Sequence, residues 1–201
     1  MEILKKSQKT LNRAVKALSR GGIIICPTDT VYGFLADTTN RKAVVKIFKI
    51  KKRPKSKPLP VFVKDLKMAR EIAEIGKKQE EFLKKAWPGK VTVVLKTPVV
   101  EQSSLRGKGK PKFKLYGVAR GTIAIRIPKY KFLNNLLKKI NKPLAQTSVN
   151  ISGEPTLNKI SDVVKKFGKS EILIIDGGDI KKSKPSRILD MTRNKIKILR
   201  K

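Results

Sequence analysis

Helical and strand-like hydrophobic spacing alternate along most of the chain. Leu11, Ala14, Val15 and Leu18 recur at helical intervals, whereas the short apolar run from Gly22 to Cys26 is typical of a buried strand. The same reading predicts seven more strands, over residues 59–63, 91–95, 122–127, 144–148, 171–175, 187–191 and 196–199. It predicts five more helices: one capped by Asn40 and ending near Lys52, one capped by Asp65, one ending near Ala86, and two over 132–140 and 160–167.

The order of these elements indicates an α/β fold. Strands alternate with helices for most of the length, but the last two strands follow each other directly, so we expect a mixed parallel and antiparallel sheet. We predict a single domain over residues 1–201, with a twisted mixed sheet flanked by helices. The segment from Pro98 to Gly121 is rich in Lys, Gly and Ser, and we expect it to be a mobile surface loop or to order on binding.

Composition narrows the chemistry. The net charge is +34, from 49 basic and 15 acidic residues; it attracts polyanions such as nucleic acid, although drift of solvated faces toward lysine explains it equally well. The absence of histidine excludes Ser-His-Asp and Cys-His catalysis, and the single cysteine excludes four-thiolate metal sites. Cations, hydroxyls, amides and carboxylates remain, with Mg²⁺ as a hard metal, and that set suits phosphate groups.

The sequence contains no recognisable membrane-spanning segment or signal peptide. It contains no run of about 18 apolar residues, and its start, Met1 to Lys6, lacks the apolar segment of a signal peptide. We therefore expect no membrane partner and a cytoplasmic location.

Four segments place polar side chains where a ligand can bind. Thr30 lies in the loop 27–33 directly after a buried strand, and Ser148 and Asn150 point the same way at the end of another. Both segments can also be ordinary turns that satisfy their own backbone, and the residues alone favour that interpretation for the Thr30 loop. Lys51 and Arg53 lie at a helix-to-loop corner that suits a triphosphate, or belong to a solvated charge run. Arg126, in an apolar strand, needs a bound anion or an internal acid as its partner.

The order of these motifs resembles the YrdC/TsaC-type L-threonylcarbamoyladenylate synthases over nearly the whole chain. The matching segments are PTDTVYG (27–33), K-x-R (51–53), WPGKVTVVL (87–95), TIAIRIP (122–128), SVNISG (148–153), IDGG (175–178), PSRILD (185–190) and ILR (198–200). The resemblance implies a nucleotidyltransferase that makes threonylcarbamoyl-AMP and pyrophosphate from L-threonine, bicarbonate and ATP, for N6-threonylcarbamoyladenosine modification of tRNA.

The resemblance also implies roles for individual residues. Lys51 and Arg53 are expected to act in catalysis by neutralising the triphosphate together with Mg²⁺, and no residue is expected to bind a resident metal. Thr30 and Arg126 are expected to bind threonine, with Arg126 on its carboxylate. The implied ATP-binding residues are Lys51, Arg53, Lys57, Thr122, Ser148, Asn150, Thr156 and Arg200.

The implied partners follow from the short, YrdC-like form of the chain. A separate threonylcarbamoyl transferase complex is expected to receive the intermediate. The net charge, independently of the resemblance, leaves open a contact of tRNA or double-stranded RNA with the basic surface. Phe62 stands where some longer members carry a histidine, and Gln146-Thr147 stands where many members have Ala-Pro. Two other functions stay open: a non-catalytic RNA-binding module, and a paralogue that adenylates another carbamoyl substrate.

Overall fold

The computed structural model describes residues 2–98, 113–168, 170–180, 184–193 and 195–201. Within them the strands are β1 (Glu2–Lys5), β2 (Ile24–Cys26), β3 (Gly33–Asp37), β4 (Val61–Phe62), β5 (Val91–Lys96), β6 (Thr122–Arg126), β7 (Leu144–Ser148), β8 (Leu173–Asp176), β9 (Arg187–Asp190) and β10 (Lys197–Arg200). The helices are α1 (Gln8–Ser19), α2 (Arg41–Lys51), α3 (Leu66–Arg70), α4 (Lys77–Ala86), α5 (Lys131–Ile140) and α6 (Ile160–Phe167).

The strands form one sheet in the order β1-β8-β2-β3-β7-β4-β6-β5-β9-β10. Four neighbouring pairs are parallel, namely β1/β8, β2/β8, β4/β6 and β5/β9, and the other five are antiparallel. The predicted mixed α/β sheet is therefore confirmed.

Helices cover one face of the sheet and half of the other. Ile25 and Phe34 pack in the core on the face that α2 and α6 cover, and Val61 and Ile125 continue that face beneath α3 and α4. On the opposite face, α1 and α5 pack over the half that contains Leu35. Strands β6, β5, β9 and β10 contribute no described residue to the hydrophobic cluster beneath α1 and α5, and the candidate site lies toward that end of the face.

Helix caps place the corner that leads into the site. The Asn40 side chain accepts a hydrogen bond from Ala43 N at 3.1 Å, and Asp65 accepts one from Met68 N at 2.8 Å, so both predicted N-caps are confirmed. Helix α2 ends at Lys51 because Lys52 adopts a left-handed conformation (φ 49°) that turns the chain out of the helix.

The sequence pattern located eight of the ten described strands to within two residues at each end, and β1 and β3 were missed. Residues 99–112 of the predicted mobile loop lie outside the described residues. Residues 113–121 are packed rather than mobile, because Tyr116 N donates to Thr38 O and Leu59 N donates to Gly117 O. None of the helices in the described ranges has the length and apolar character needed to cross a membrane.

Candidate functional site

A cavity of about 420 Å³ lies toward the end of the sheet that β6, β5, β9 and β10 form. Among the described residues, three arginines and no acidic residue line it, so it is electrostatically suited to an anion. Seven of the ten predicted site residues contribute to its walls: Thr30, Arg53, Thr122, Arg126, Ser148, Thr156 and Arg200. Lys51, Lys57 and Asn150 are not part of the lining. A larger cavity of about 830 Å³ lies beside the start of α4 and contains none of the predicted residues.

Arg126 anchors one end of the cavity. Its side chain is 2% exposed, and its Nη2 pairs with the carboxylate of Asp29. Nε donates to Gly89 O at 2.8 Å, and Nη1 donates to Thr30 Oγ1 at 3.3 Å. Burial lowers the pKa of Arg126, and the charge of Asp29 opposes that effect. The internal ion pair that the sequence left open is therefore present, and Arg126 is also part of the cavity lining.

The loop that presents Thr30 is organised by Thr28. The Thr28 hydroxyl donates to Val31 O at 2.7 Å and accepts from Thr30 N and Val31 N at 3.0 and 3.2 Å. Because the one hydroxyl proton of Thr28 goes to Val31 O, the 3.0 Å contact between the two threonine hydroxyls is donated by Thr30. Thr30 Oγ1 therefore presents its lone pairs to Arg126.

Lys51 and Asn150 lie behind the cavity wall and hold each other. Lys51 is 1% exposed, and its Nζ donates to Ser148 O, Asn150 O and Asn150 Oδ1 at 2.7, 2.9 and 2.8 Å. The Ser148 hydroxyl also donates to Asn150 Oδ1, at 2.7 Å. Burial, followed by the nearby charge of Arg53, lowers the pKa of Lys51 to about 8. The lysine thus fixes the turn that carries Ser148.

Arg53 lines the cavity and donates hydrogen bonds to the loop that follows it. Its Nε donates to Lys57 O at 2.8 Å, and its Nη2 donates to Pro58 O at 2.9 Å. Burial lowers the pKa of Arg53. Lys57 therefore contributes its carbonyl to the site, while the residue itself is exposed and outside the lining.

Arg200, on the terminal strand β10, closes the opposite wall. Its Nε and Nη2 both donate to Ser186 O, at 2.9 and 2.7 Å, and the Ser186 hydroxyl contacts Thr92 Oγ1 on β5 at 2.8 Å. Burial, followed by the charge of Arg126, lowers the pKa of Arg200. Two arginines that repel each other across a cavity whose described lining contains no acid favour an anion between them.

A buried tyrosine joins the Thr30 loop to the segment after β8. Tyr32 Oη donates to Gly178 O at 2.7 Å and accepts from Gly177 N at 3.0 Å. Burial raises the pKa of Tyr32 to about 12, so the hydroxyl stays neutral. This link brings the motifs PTDTVYG and IDGG, far apart in sequence, into contact.

Sequence reasoning missed three residues that shape the site. Asp29 pairs with Arg126, Ser186 anchors Arg200, and the side chain of Gln146 lies in the cavity wall. Asp29 and Ser186 both lie inside segments that were singled out, PTDTVYG and PSRILD. The available signal for Asp29 was an acid inside the PTDTVYG loop. A buried arginine requires a partner, and Asp29 is a candidate for that partner.

Comparison with known proteins identifies the relatives of this arrangement. The Sua5/YciO/YrdC family model, described as telomere recombination, matches residues 16–201. The chain is 34% identical over 189 residues to a putative threonylcarbamoyl-AMP synthase of Methanocaldococcus jannaschii, covering 94% of this chain and 84% of that protein. It is 32% identical over 177 residues to the threonylcarbamoyl-AMP synthase of Pyrococcus abyssi, covering 87% of this chain and 48% of that protein.

A solved structure gives the same picture at the level of the fold. The crystal structure of Pyrococcus abyssi Sua5 complexed with L-threonine is similar with a TM-score of 0.82 and 27% identity. The similarity covers 99% of this chain and 56% of that one, so the chain spans about half the length of the Pyrococcus protein.

Proposed function

The chain belongs to the Sua5/YciO/YrdC family, and we propose that it is an L-threonylcarbamoyladenylate synthase. It is a nucleotidyltransferase that joins L-threonine, bicarbonate and ATP into threonylcarbamoyl-AMP and pyrophosphate. The observation that carries the proposal is that Arg53, Arg126 and Arg200 line the cavity and that no acid is found in the part of its lining that the structure describes. Such a cavity suits substrates that bring a carboxylate and a triphosphate.

The reaction needs no protein nucleophile. The neutral amine of threonine adds to CO₂ supplied by bicarbonate, losing a proton and giving a carbamate. A carbamate oxygen then attacks the α-phosphorus of ATP, the bond from that phosphorus to the bridging oxygen breaks, and pyrophosphate leaves. The protein contributes positioning and neutralisation of charge, which a site of arginines and hydroxyls can supply.

The proposed roles divide the cavity into two ends. Arg126 and Thr30 hold threonine, with the guanidinium of Arg126 on the carboxylate. Arg53, Thr122, Ser148, Thr156 and Arg200 contact the nucleotide. Lys51 and Asn150 act from behind the wall by fixing Ser148 through the 2.7–2.9 Å bonds of the lysine ammonium. Lys57 supports Arg53 through its carbonyl oxygen.

We propose that Mg²⁺ arrives with ATP. The described lining of the cavity contains no carboxylate, and carboxylates are the side chains that hold this ion. The residues present therefore do not fit a resident magnesium site, and the ion belongs to the substrate as the counter-ion of its phosphates.

The product determines the partners that we propose. Threonylcarbamoyl-AMP is a mixed anhydride, so it is consumed by a transferase that moves the threonylcarbamoyl group to an acceptor. A threonylcarbamoyl transferase complex acting on tRNA in the cytoplasm fits this need. The net charge of +34 provides an attraction for tRNA or double-stranded RNA.

Pyrophosphate release from ATP tests the proposal. Purified protein is assayed with and without L-threonine and with and without bicarbonate, and release is expected only when both are present. Release that is independent of threonine would contradict the proposal and favour another carbamoyl substrate. An RNA-binding module would release none under any of these conditions.

A further inference from the structure

The side chain of Gln146 faces the cavity between its two proposed ends. On β7, Gln146 lies two residues after Leu144, which pairs with Phe62, and Phe62 in turn pairs with Arg126. Ser148 lies two residues further along β7. Because alternate residues of a strand share a face, Leu144, Gln146 and Ser148 point the same way, at intervals of about 7 Å.

The backbone of Gln146 is held while its side chain is available. Gln146 N donates to Pro60 O at 2.9 Å, which locks β7 to the chain entering β4. The side-chain amide has no hydrogen-bond partner among the described residues, and its Oε1 lies 3.7 Å from where a Cβ added at Gly33 would stand. Gln146 is half-buried and forms part of the cavity wall.

The proposed substrates would place the carbamate group at the position of Gln146 in the cavity. In the intermediate, three covalent bonds separate the carboxylate carbon of threonine from the carbamate carbon, and two more lead to the α-phosphorus. With the carboxylate on Arg126 and phosphate beside Ser148, the carbamate lies between them. Resting on the proposed function, we propose that the Gln146 amide binds and orients the carbamate.

The chemistry of a primary amide matches that of a carbamate. The Nε2 hydrogens of Gln146 donate to the carbamate oxygen that does not attack phosphorus, and Oε1 accepts from the carbamate N–H. The attacking oxygen then keeps its lone pair directed at the α-phosphorus. A glutamine does this without adding charge to the cavity, whereas a carboxylate would repel both the carbamate and the phosphates.

Kinetics of Gln146→Met test this role, because methionine keeps the length of the side chain and removes both polar atoms. We expect kcat/KM for bicarbonate, measured by pyrophosphate release in carbonate-depleted buffer, to fall about tenfold, the effect of losing a hydrogen bond to a charged group. Calorimetric affinity for ATP, and for threonine without bicarbonate, is expected to stay at the wild-type value. Gln146→Glu is expected to lose more activity than Gln146→Met.

Controls separate this inference from the rest. Gln8→Met, on the exposed start of α1, should behave as wild type. An unchanged kcat/KM for bicarbonate in Gln146→Met, or an equal loss of ATP affinity, would overturn the inference. Gln146→Ala repeats the test if the methionine variant does not fold. If the wild-type protein itself shows no threonine-dependent release, the proposed function fails instead.

Discussion

Lys51 shows how a cation can serve a phosphate site without facing it. Its ammonium group donates to Ser148 O, Asn150 O and Asn150 Oδ1 from a position that is 1% exposed. A rigid turn at Ser148 costs no reorganisation when the nucleotide binds. The lysine thus contributes to the site by positioning, and its replacement tests that role.

Lys51→Met removes all three bonds and leaves two buried carbonyls without their partner. We expect the free energy of unfolding to fall by about 1–3 kcal/mol and turnover to fall by about 100-fold, because Ser148 is displaced. Denaturant unfolding and pyrophosphate release measure the two effects. Lys46→Met, on the exposed side of the same helix, is the matched control. A variant as active as wild type would exclude the positioning role.

The lowered pKa of Lys51 leads us to expect that turnover and the free energy of unfolding both depend on pH. Its pKa is lowered from 10.5 to about 8, so turnover should decline as pH rises through about 8, where the ammonium loses one donor. Stability should move the other way. Between the folded and unfolded pKa values the unfolded chain binds more protons, so this lysine makes the free energy of unfolding rise with pH. In Lys51→Met, neither the decline of turnover nor the rise of the free energy of unfolding with pH should remain. If they persist, another group causes them.

Asp29 is the partner that makes the burial of Arg126 tolerable. Asp29→Asn removes the negative charge from an ion pair whose side chains are 2% and 8% exposed. We expect the free energy of unfolding to fall by about 3–5 kcal/mol, because the guanidinium remains buried without compensation. Urea unfolding compares this variant with Asp162→Asn, an exposed position in α6. Equal stabilities of the two variants would contradict the expectation.

At the scale of elements, the site is built where a hairpin loop meets the segment after β8. Strands β2 and β3 pair with Cys26 opposite Gly33, so residues 27–32 form the loop of a hairpin. Tyr32 ties this loop to Gly177 and Gly178. The position of Thr30 therefore depends on a contact between segments that are distant in sequence.

Tyr32→Phe isolates that contact, since it deletes only the hydroxyl. We expect the free energy of unfolding to fall by about 1–2 kcal/mol, and KM for threonine to rise while the affinity for ATP is kept. Tyr116→Phe, whose hydroxyl has no hydrogen-bond partner among the described residues, is the control. A rise in KM for ATP of the same size would show that the effect is not confined to the threonine end.

What the sequence predicted and what it missed have physical causes at this same scale. The helices and eight of the ten described strands have clear periodicity or apolar runs, and they were located. Strand β3 was missed because Gly33–Asp37 is buried on both faces and therefore shows no alternation. The cavity residues were predicted by type, but the buried position of Lys51 depends on its bonds to Ser148 and Asn150, and sequence spacing does not specify contacts between such distant segments.

At the scale of the whole molecule, the net charge is the feature that we expect to govern how stability depends on salt. A net charge of +34 on 201 residues repels itself in the compact state more than in the unfolded chain. The melting temperature should therefore rise when sodium chloride is increased from about 50 to about 500 mM, because salt screens that repulsion. Differential scanning fluorimetry measures the shift. A melting temperature that falls with salt would mean that attractive pairs outweigh the repulsion.

The edge position of β10 has a consequence for motion. All four residues of this strand are exposed, its pairing with β9 is interrupted by a bulge, and it nonetheless supplies Leu199 and Arg200 to the cavity. Its amide protons should exchange with solvent through local opening, at rates well above those of the central strands. Nucleotide held by Arg200 would suppress that opening. Nucleotide binding would then be coupled to the folding of the outermost strand. A change that weakens the pairing of this strand would lower the affinity for the nucleotide.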